Sequence, residues 1–156
     1  MRRILLAAYV GIAPLTCHAE ERGGRSSPAL APVEAKLKRC TAENPGNIPE
    51  RLCTDDARQA IDGVLTRIYA QIVAGLKRPT DSSVGDSRNK EVLRRLVASE
   101  RAWIAYRDSE CLERSGSMLG GSGEATILVE CEYSLERDRV NDLFDLYKDE
   151  LPEIAK

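Results

Sequence analysis

Three stretches of this chain repeat apolar residues every three or four positions, and each runs for more than twenty residues. That period matches the turn of an α-helix with one face turned inward. The first stretch runs from about Thr54 to Lys77. Ile61, Leu65, Ile68, Ile72 and Leu76 form its stripe, with Val64 and Tyr69 alongside. Thr54 or Asp55 suits its cap, and Pro79 with the Ser/Asp/Gly-rich residues to Ser87 ends it. The second runs from about Arg88 to Arg114 and turns Leu93, Leu96, Val97, Trp103, Ile104 and Cys111 to one broad face. The third runs from about Glu124 to Glu150, striped by Leu128, Cys131, Leu135, Leu143 and Leu146 and widened by Val140, Phe144 and Tyr147. A glycine-rich loop, Ser115 to Gly123, joins the last two. No strand-like alternation competes, so the expected fold is all-α: a small antiparallel bundle of three long helices.

The N-terminus reads as an export signal. Arg2 and Arg3 precede a mostly apolar run from Ile4 to Leu15, and Cys17-His18-Ala19 offers a small-x-small cleavage site. The run is shorter than the roughly twenty residues that cross a bilayer, so cleavage after Ala19 is expected and lipidation at Cys17 is the lesser alternative. The expected organisation is a signal peptide over 1–19, a Gly/Ser/Pro-rich flexible linker over 20–37, a helical domain over 38–150 and a tail over 151–156. The mature form should not span a membrane, and its place should be the periplasm or the exterior.

Removing the signal leaves four cysteines, Cys40, Cys53, Cys111 and Cys131. An even number in a small exported domain implies disulfides, and four cysteines allow three connectivities. Geometry favours one. Cys111 and Cys131 stand either side of the glycine-rich loop of a helical hairpin, while Cys40 and Cys53 flank the turn-rich Asn44-Pro45-Gly46-Asn47-Ile48-Pro49. The expected pairs are Cys40–Cys53 and Cys111–Cys131, both local.

The sole histidine, His18, leaves with the signal. Ser-His or Cys-His catalysis and the usual His-bearing zinc sites go with it. The loop lacks the lysine of a phosphate-binding loop and follows a helix instead of a strand. No enzyme activity, cofactor or metal is expected. Arg2 and Arg3 also leave, so 21 basic side chains face 25 acidic ones, a net charge of −4 that gives no reason to expect nucleic acid.

Certain polar residues stand at fixed offsets. Asp62, Leu65 and Tyr69 read D-x-x-L-x-x-x-Y, and Glu100, Trp103, Arg107, Asp108 and Cys111 read E-x-x-W-x-x-x-R-D-x-x-C. In the third stretch Cys131 precedes Leu135, Arg139 and Leu143. Over about residues 38 to 147 this pattern resembles the LprI-like family of exported bacterial proteins, named for a mycobacterial lysozyme inhibitor. The family commonly has Gln where Glu100 stands, Asn where Thr66 stands and Thr where Glu136 stands. The resemblance implies an envelope location and suggests lysozyme binding. It makes Trp103, Arg107, Asp108, Cys111, Cys131 and Arg139 signature residues.

Physically, Arg107 and Arg139 lie on faces that otherwise point inward, and a buried guanidinium needs carboxylates. Asp62 and Glu100 are the expected partners, in a network between helices, with Trp103 in the core. The expected function is that of a binding protein for a cationic lysozyme or another cell-wall hydrolase. The alternative is an envelope interaction, immunity or accessory protein with a different partner. From Glu124 to Glu150 nine acidic side chains face three basic ones, which suits a cationic partner. The expected contact residues are Ser117, Met118 and Leu119 of the loop with Glu124, Glu130 and Glu132.

Overall fold

A computed structural model describes residues 27–150, and every regular element among them is helical. A short 3-10 turn, Pro28–Leu30, leads into α1, Ala31–Glu43, followed by α2, Asn47–Leu76, α3, Ser83–Ser115, and α4, Glu124–Tyr147. A second 3-10 turn, Gly116–Met118, continues from α3 into the loop. The signal expected over 1–19 and the tail over 151–156 lie outside the described residues.

The bundle therefore has four helices where three were expected, and the linker expected over 20–37 is helical from Pro28 onward. Pro28 and Pro32 discourage a helical reading, yet each sits in the first turn of its element. There the missing N–H costs nothing and the fixed φ favours the helix. Leu30 is wholly buried, and Ala29 and Val33 pack against the same core. The Ser27 N–H donates to Asn141 Oδ1 at 2.8 Å, which ties the start of this segment to α4.

α2 starts at Asn47, seven residues before the expected Thr54, because Gly46 supplies a turn at φ +117°. Glu50 Oε1 accepts the Gly46 N–H at 2.9 Å, which satisfies one of the donors a helix start leaves open. Pro49 fits this first turn. α3 likewise starts earlier than expected, at Ser83, where Ser82 Oγ accepts the Gly85 N–H at 3.0 Å.

The core forms along the seam of α2 and α4. Ile61, Val64, Leu65, Ile68, Ile72 and Leu76 of α2 meet Val140, Leu143, Phe144 and Tyr147 of α4, with Leu96 of α3 and Leu30 closing the ends. Leu146, expected in the α4 stripe, is 68% exposed. The buried face is turned toward Glu136, Val140, Leu143, Phe144 and Tyr147, which are spaced at one helical face, and Leu146 falls off it. α3 departs further from expectation: of its broad apolar face only Leu96 and Cys111 are fully buried, and Trp103 is half-buried. α4 packs along both neighbours, whereas α2 and α3 meet only sparsely. Among the described residues no helix is long and apolar enough to cross a membrane.

Candidate partner-binding site

Both expected disulfides are present. Cys111–Cys131 joins the last turns of α3 to the early turns of α4 at a Cα–Cα distance of 5.5 Å, and both cysteines are buried. Cys40–Cys53 joins the end of α1 to α2 at 5.8 Å. Arg58 of α2 faces Glu132 of α4 at 3.4 Å, while Arg107 of α3 reaches Glu136 and Arg139 of α4 reaches Glu100. That register makes α2 and α4 parallel and α3 antiparallel to both. Both disulfides consequently brace the same end of the bundle, where α2 and α4 begin and α3 ends.

The glycine-rich loop closes this end. Gly120 takes φ +73°, a region that favours glycine, and its N–H donates to Glu124 Oε2 at 2.9 Å. The Gly121 N–H donates to the Met118 carbonyl at 2.8 Å, and Ser117 Oγ donates to the Arg114 carbonyl at 2.9 Å. The Met118 side chain lies on Gly123 so closely that a Cβ there would come within 2.8 Å of Met118 Cε. Met118 is still 48% exposed and Leu119 79% exposed, so the loop holds two apolar side chains outward on an ordered backbone. Ile48 and Leu52 in the first turns of α2 and Leu112 near the end of α3 are each more than half exposed at the same end. Isolated exposed leucines mean little, but here five large apolar side chains stand exposed at one braced end. Ile48 falls in the turn-rich Asn44 to Pro49, and both it and Leu52 precede the expected helix start at Thr54.

The six expected contact residues divide. Ser117, Met118 and Leu119 face solvent, as does Glu130 on α4. Glu124 is engaged by Gly120 and Glu132 by Arg58. The acidic excess of the last stretch is similarly absorbed: Glu136 meets Arg107, Asp138 meets Arg137, Asp145 meets Lys148 and Glu150 meets Arg88. Of these cations, Arg58, Arg88 and Arg107 come from other helices and offset part of the formal excess of six acids.

Farther along, the signature residues gather around Trp103. Arg139 Nη2 and Nε donate to Glu100 Oε2 at 2.7 and 3.0 Å. Arg107 Nη1 donates to Glu136 Oε1 at 2.9 Å, and its Nη2 to Asp108 Oδ1 at 2.7 Å. The Arg107 and Arg139 guanidinium carbons stand 5.4 and 5.7 Å from the centroid of Trp103, within cation–π range. Of the two expected acids, Glu100 is in place and Asp62 is not: Asp62 is exposed and makes no ion pair among the described residues. Its place is taken by Glu136, 1% exposed, which shares the inner face of Val140 and Leu143.

Glu136 Oε2 is buried without a hydrogen-bond partner. Burial pushes its carboxyl up to about 7, and the nearby Arg107 and Arg58 charges only partly counter this. At Arg107 burial works against the charge, but hydrogen bonding and attraction from Asp108, then Glu136 and Glu132, outweigh it and hold the guanidinium more firmly protonated. A groove of about 490 Å³ opens beside this cluster, between Asp62, Leu65 and Tyr69 of α2 and Arg101, Trp103 and Ile104 of α3.

Among the described residues the chain is a helical module with a covalently braced end and an ion-paired seam behind it. The match to known sequences is more specific. A family model described as "Lysozyme inhibitor LprI" covers residues 40–143, from the first cysteine of the first disulfide to the core residue Leu143, and the chain belongs to that family. It is 31% identical over 132 residues to the uncharacterized protein R02472 of Rhizobium meliloti (strain 1021), an alignment that covers 76% of this chain and 94% of that protein. No solved structure matches.

Proposed function

We propose that the chain is an exported, non-enzymatic binding protein that blocks a lysozyme-type cell-wall hydrolase, with the disulfide-braced end as its docking surface. The observation that carries the reading is Leu119 and Met118, held outward on a hydrogen-bonded loop between Cys111 and Cys131. An ordered apolar protrusion enters a concave active site with little further entropy loss, which is the usual way a small rigid inhibitor gains affinity. Membership of a family described as lysozyme inhibitors and the export-signal pattern at residues 1–19 support the same reading.

Because most acids of α4 are internally paired, the docking is chiefly apolar and electrostatic steering adds a smaller part. The test is the lytic activity of a hen-type lysozyme on cell walls, with the purified oxidised protein added at low and moderate salt. Inhibition should survive moderate salt. Leu119→Asp should weaken it by about 30-fold, as expected of a central apolar contact, with the melting temperature unchanged. Full lytic activity at a large molar excess of folded protein would remove this lysozyme as the target. Capture of a different envelope protein that Leu119→Asp abolishes would then favour the accessory-protein reading.

A further inference from the structure

The groove between α2 and α3 is separate from the braced end, and its lining chemistry is distinctive. Its floor is apolar, formed by Leu65, Val97, Ile104 and the accessible part of Trp103. The charges deepest in it are already compensated, Glu100 by Arg139, and Arg107 by Asp108 and Glu136. Four other polar side chains on its walls are not. Asp62, Thr66 and Tyr69 from α2 and Arg101 from α3 make no side-chain hydrogen bond or ion pair among the described residues. Pockets that hold small molecules combine an apolar lining of this volume with a few convergent polar groups. Here those groups are one carboxylate, one guanidinium and two hydroxyls, a set with no net charge that offers both donors and acceptors.

We propose that this groove binds a neutral sugar segment of a glycan. A sugar ring carries an apolar C–H face that packs against an aromatic side chain and a rim of hydroxyls that both donate and accept. The uncompensated groups match that rim: Asp62 accepts, Arg101 donates, and Thr66 and Tyr69 do either. A charged ligand would leave one of the two opposed rim charges facing a like charge, whereas a neutral one satisfies both. The sparse packing of α2 on α3 and the half-burial of Trp103 follow as properties of a site instead of imperfections of a core.

Trp103 is the single tryptophan of the chain, so its fluorescence reports on this groove alone. The full-length oxidised protein is titrated with tetramers of N-acetylglucosamine and of glucose while Trp103 emission is followed, and equilibrium dialysis measures retention directly. Saturable retention of either tetramer is expected. Asp62→Ala and Arg101→Ala, both at exposed positions that leave folding intact, should each weaken it about tenfold, while Glu130→Ala on the outside of α4 should not change it. Leu119→Asp should also leave it unchanged, so that sugar binding and hydrolase inhibition can fail independently. No retention of either tetramer at millimolar concentration would overturn the proposal, as would binding indifferent to Asp62 and Arg101. Displacement of the sugar by an equal concentration of a zwitterionic dipeptide would overturn it in favour of a peptide site.

Discussion

The braced end of the bundle and the Trp103 seam solve the problem of a small core in opposite ways. At the end, covalent bonds hold α1 to α2 and α3 to α4, so apolar side chains such as Leu119 can face water without loss of order. Along the seam no covalent bond exists, and α3 is held to α4 by two arginine–carboxylate pairs around one indole. A chain poor in aromatic residues thus divides its tasks between the two regions. Where the packing is fixed by disulfides, large apolar side chains stand in solvent; where it is fixed by charge, the interior carries a buried carboxyl with one oxygen unpartnered.

Removing the brace should have the largest effect. Replacing Cys111 and Cys131 together with serine should lower stability by about 3 kcal/mol, from the loop-closure entropy of the unfolded chain, as read from urea unfolding. Inhibition of lysozyme should fall with it, because the loop loses its anchor. If inhibition survives in protein shown to be folded, the loop does not need the bond to hold its shape.

Titration of Glu136 probes the Trp103 seam. Its carboxyl takes up a proton more readily in the folded protein, near pH 7, than in the unfolded chain, near 4.5. Its contribution to stability is therefore fully present below about pH 4.5, falls as pH rises toward 7, and is constant above that. The decline should amount to about 2–3 kcal/mol, and Glu136→Gln should remove it from the pH dependence of urea unfolding. An equal slope in wild type and variant would show that Glu136 titrates normally.

Arg107→Ala should cost about 2 kcal/mol at pH 8, because it leaves a buried carboxylate without its donor. The cost should shrink at pH 5, where Glu136 is protonated. Lysozyme inhibition by the folded fraction should stay as it was, since the seam lies away from the proposed docking surface. The smallest effect belongs to the far end of the bundle: Ser82→Ala removes the cap of α3 and should lower stability by about 1 kcal/mol. A melting curve checks it, and any loss of inhibition there would show that the two ends are coupled.

The α2–α4 core was legible because Ile61, Ile68, Ile72, Val140 and Leu143 recur at helical spacing and nothing else competes for their faces. The disulfide pairing was legible because each pair flanks a turn. α1 was not, since none of its own residues is fully buried and Leu30 just before it lies among prolines, glycines and serines that read as a linker. Glu136 was not, because a carboxylate beside Val140 reads as the polar edge of a stripe, and only the facing Arg107 reveals that it points inward. The acidic excess of residues 124–150 is smaller than its own side chains suggest, because Arg58, Arg88 and Arg107 of two other helices stand beside its acids. Membership of the lysozyme-inhibitor family was legible in Trp103, Arg107, Asp108 and Cys111. Of these, Arg107 bridges α3 to Glu136 of α4 and Cys111 closes the loop.

Hydrogen exchange of the oxidised protein, alone and with an equimolar hen-type lysozyme, tests the proposed docking surface most directly. Slowed exchange is expected at the amides of 112–123 and at the first turns of α2, around Ile48 and Leu52, with the amides around Trp103 unchanged. Protection confined to the α2–α3 groove, or no protection anywhere, would contradict it.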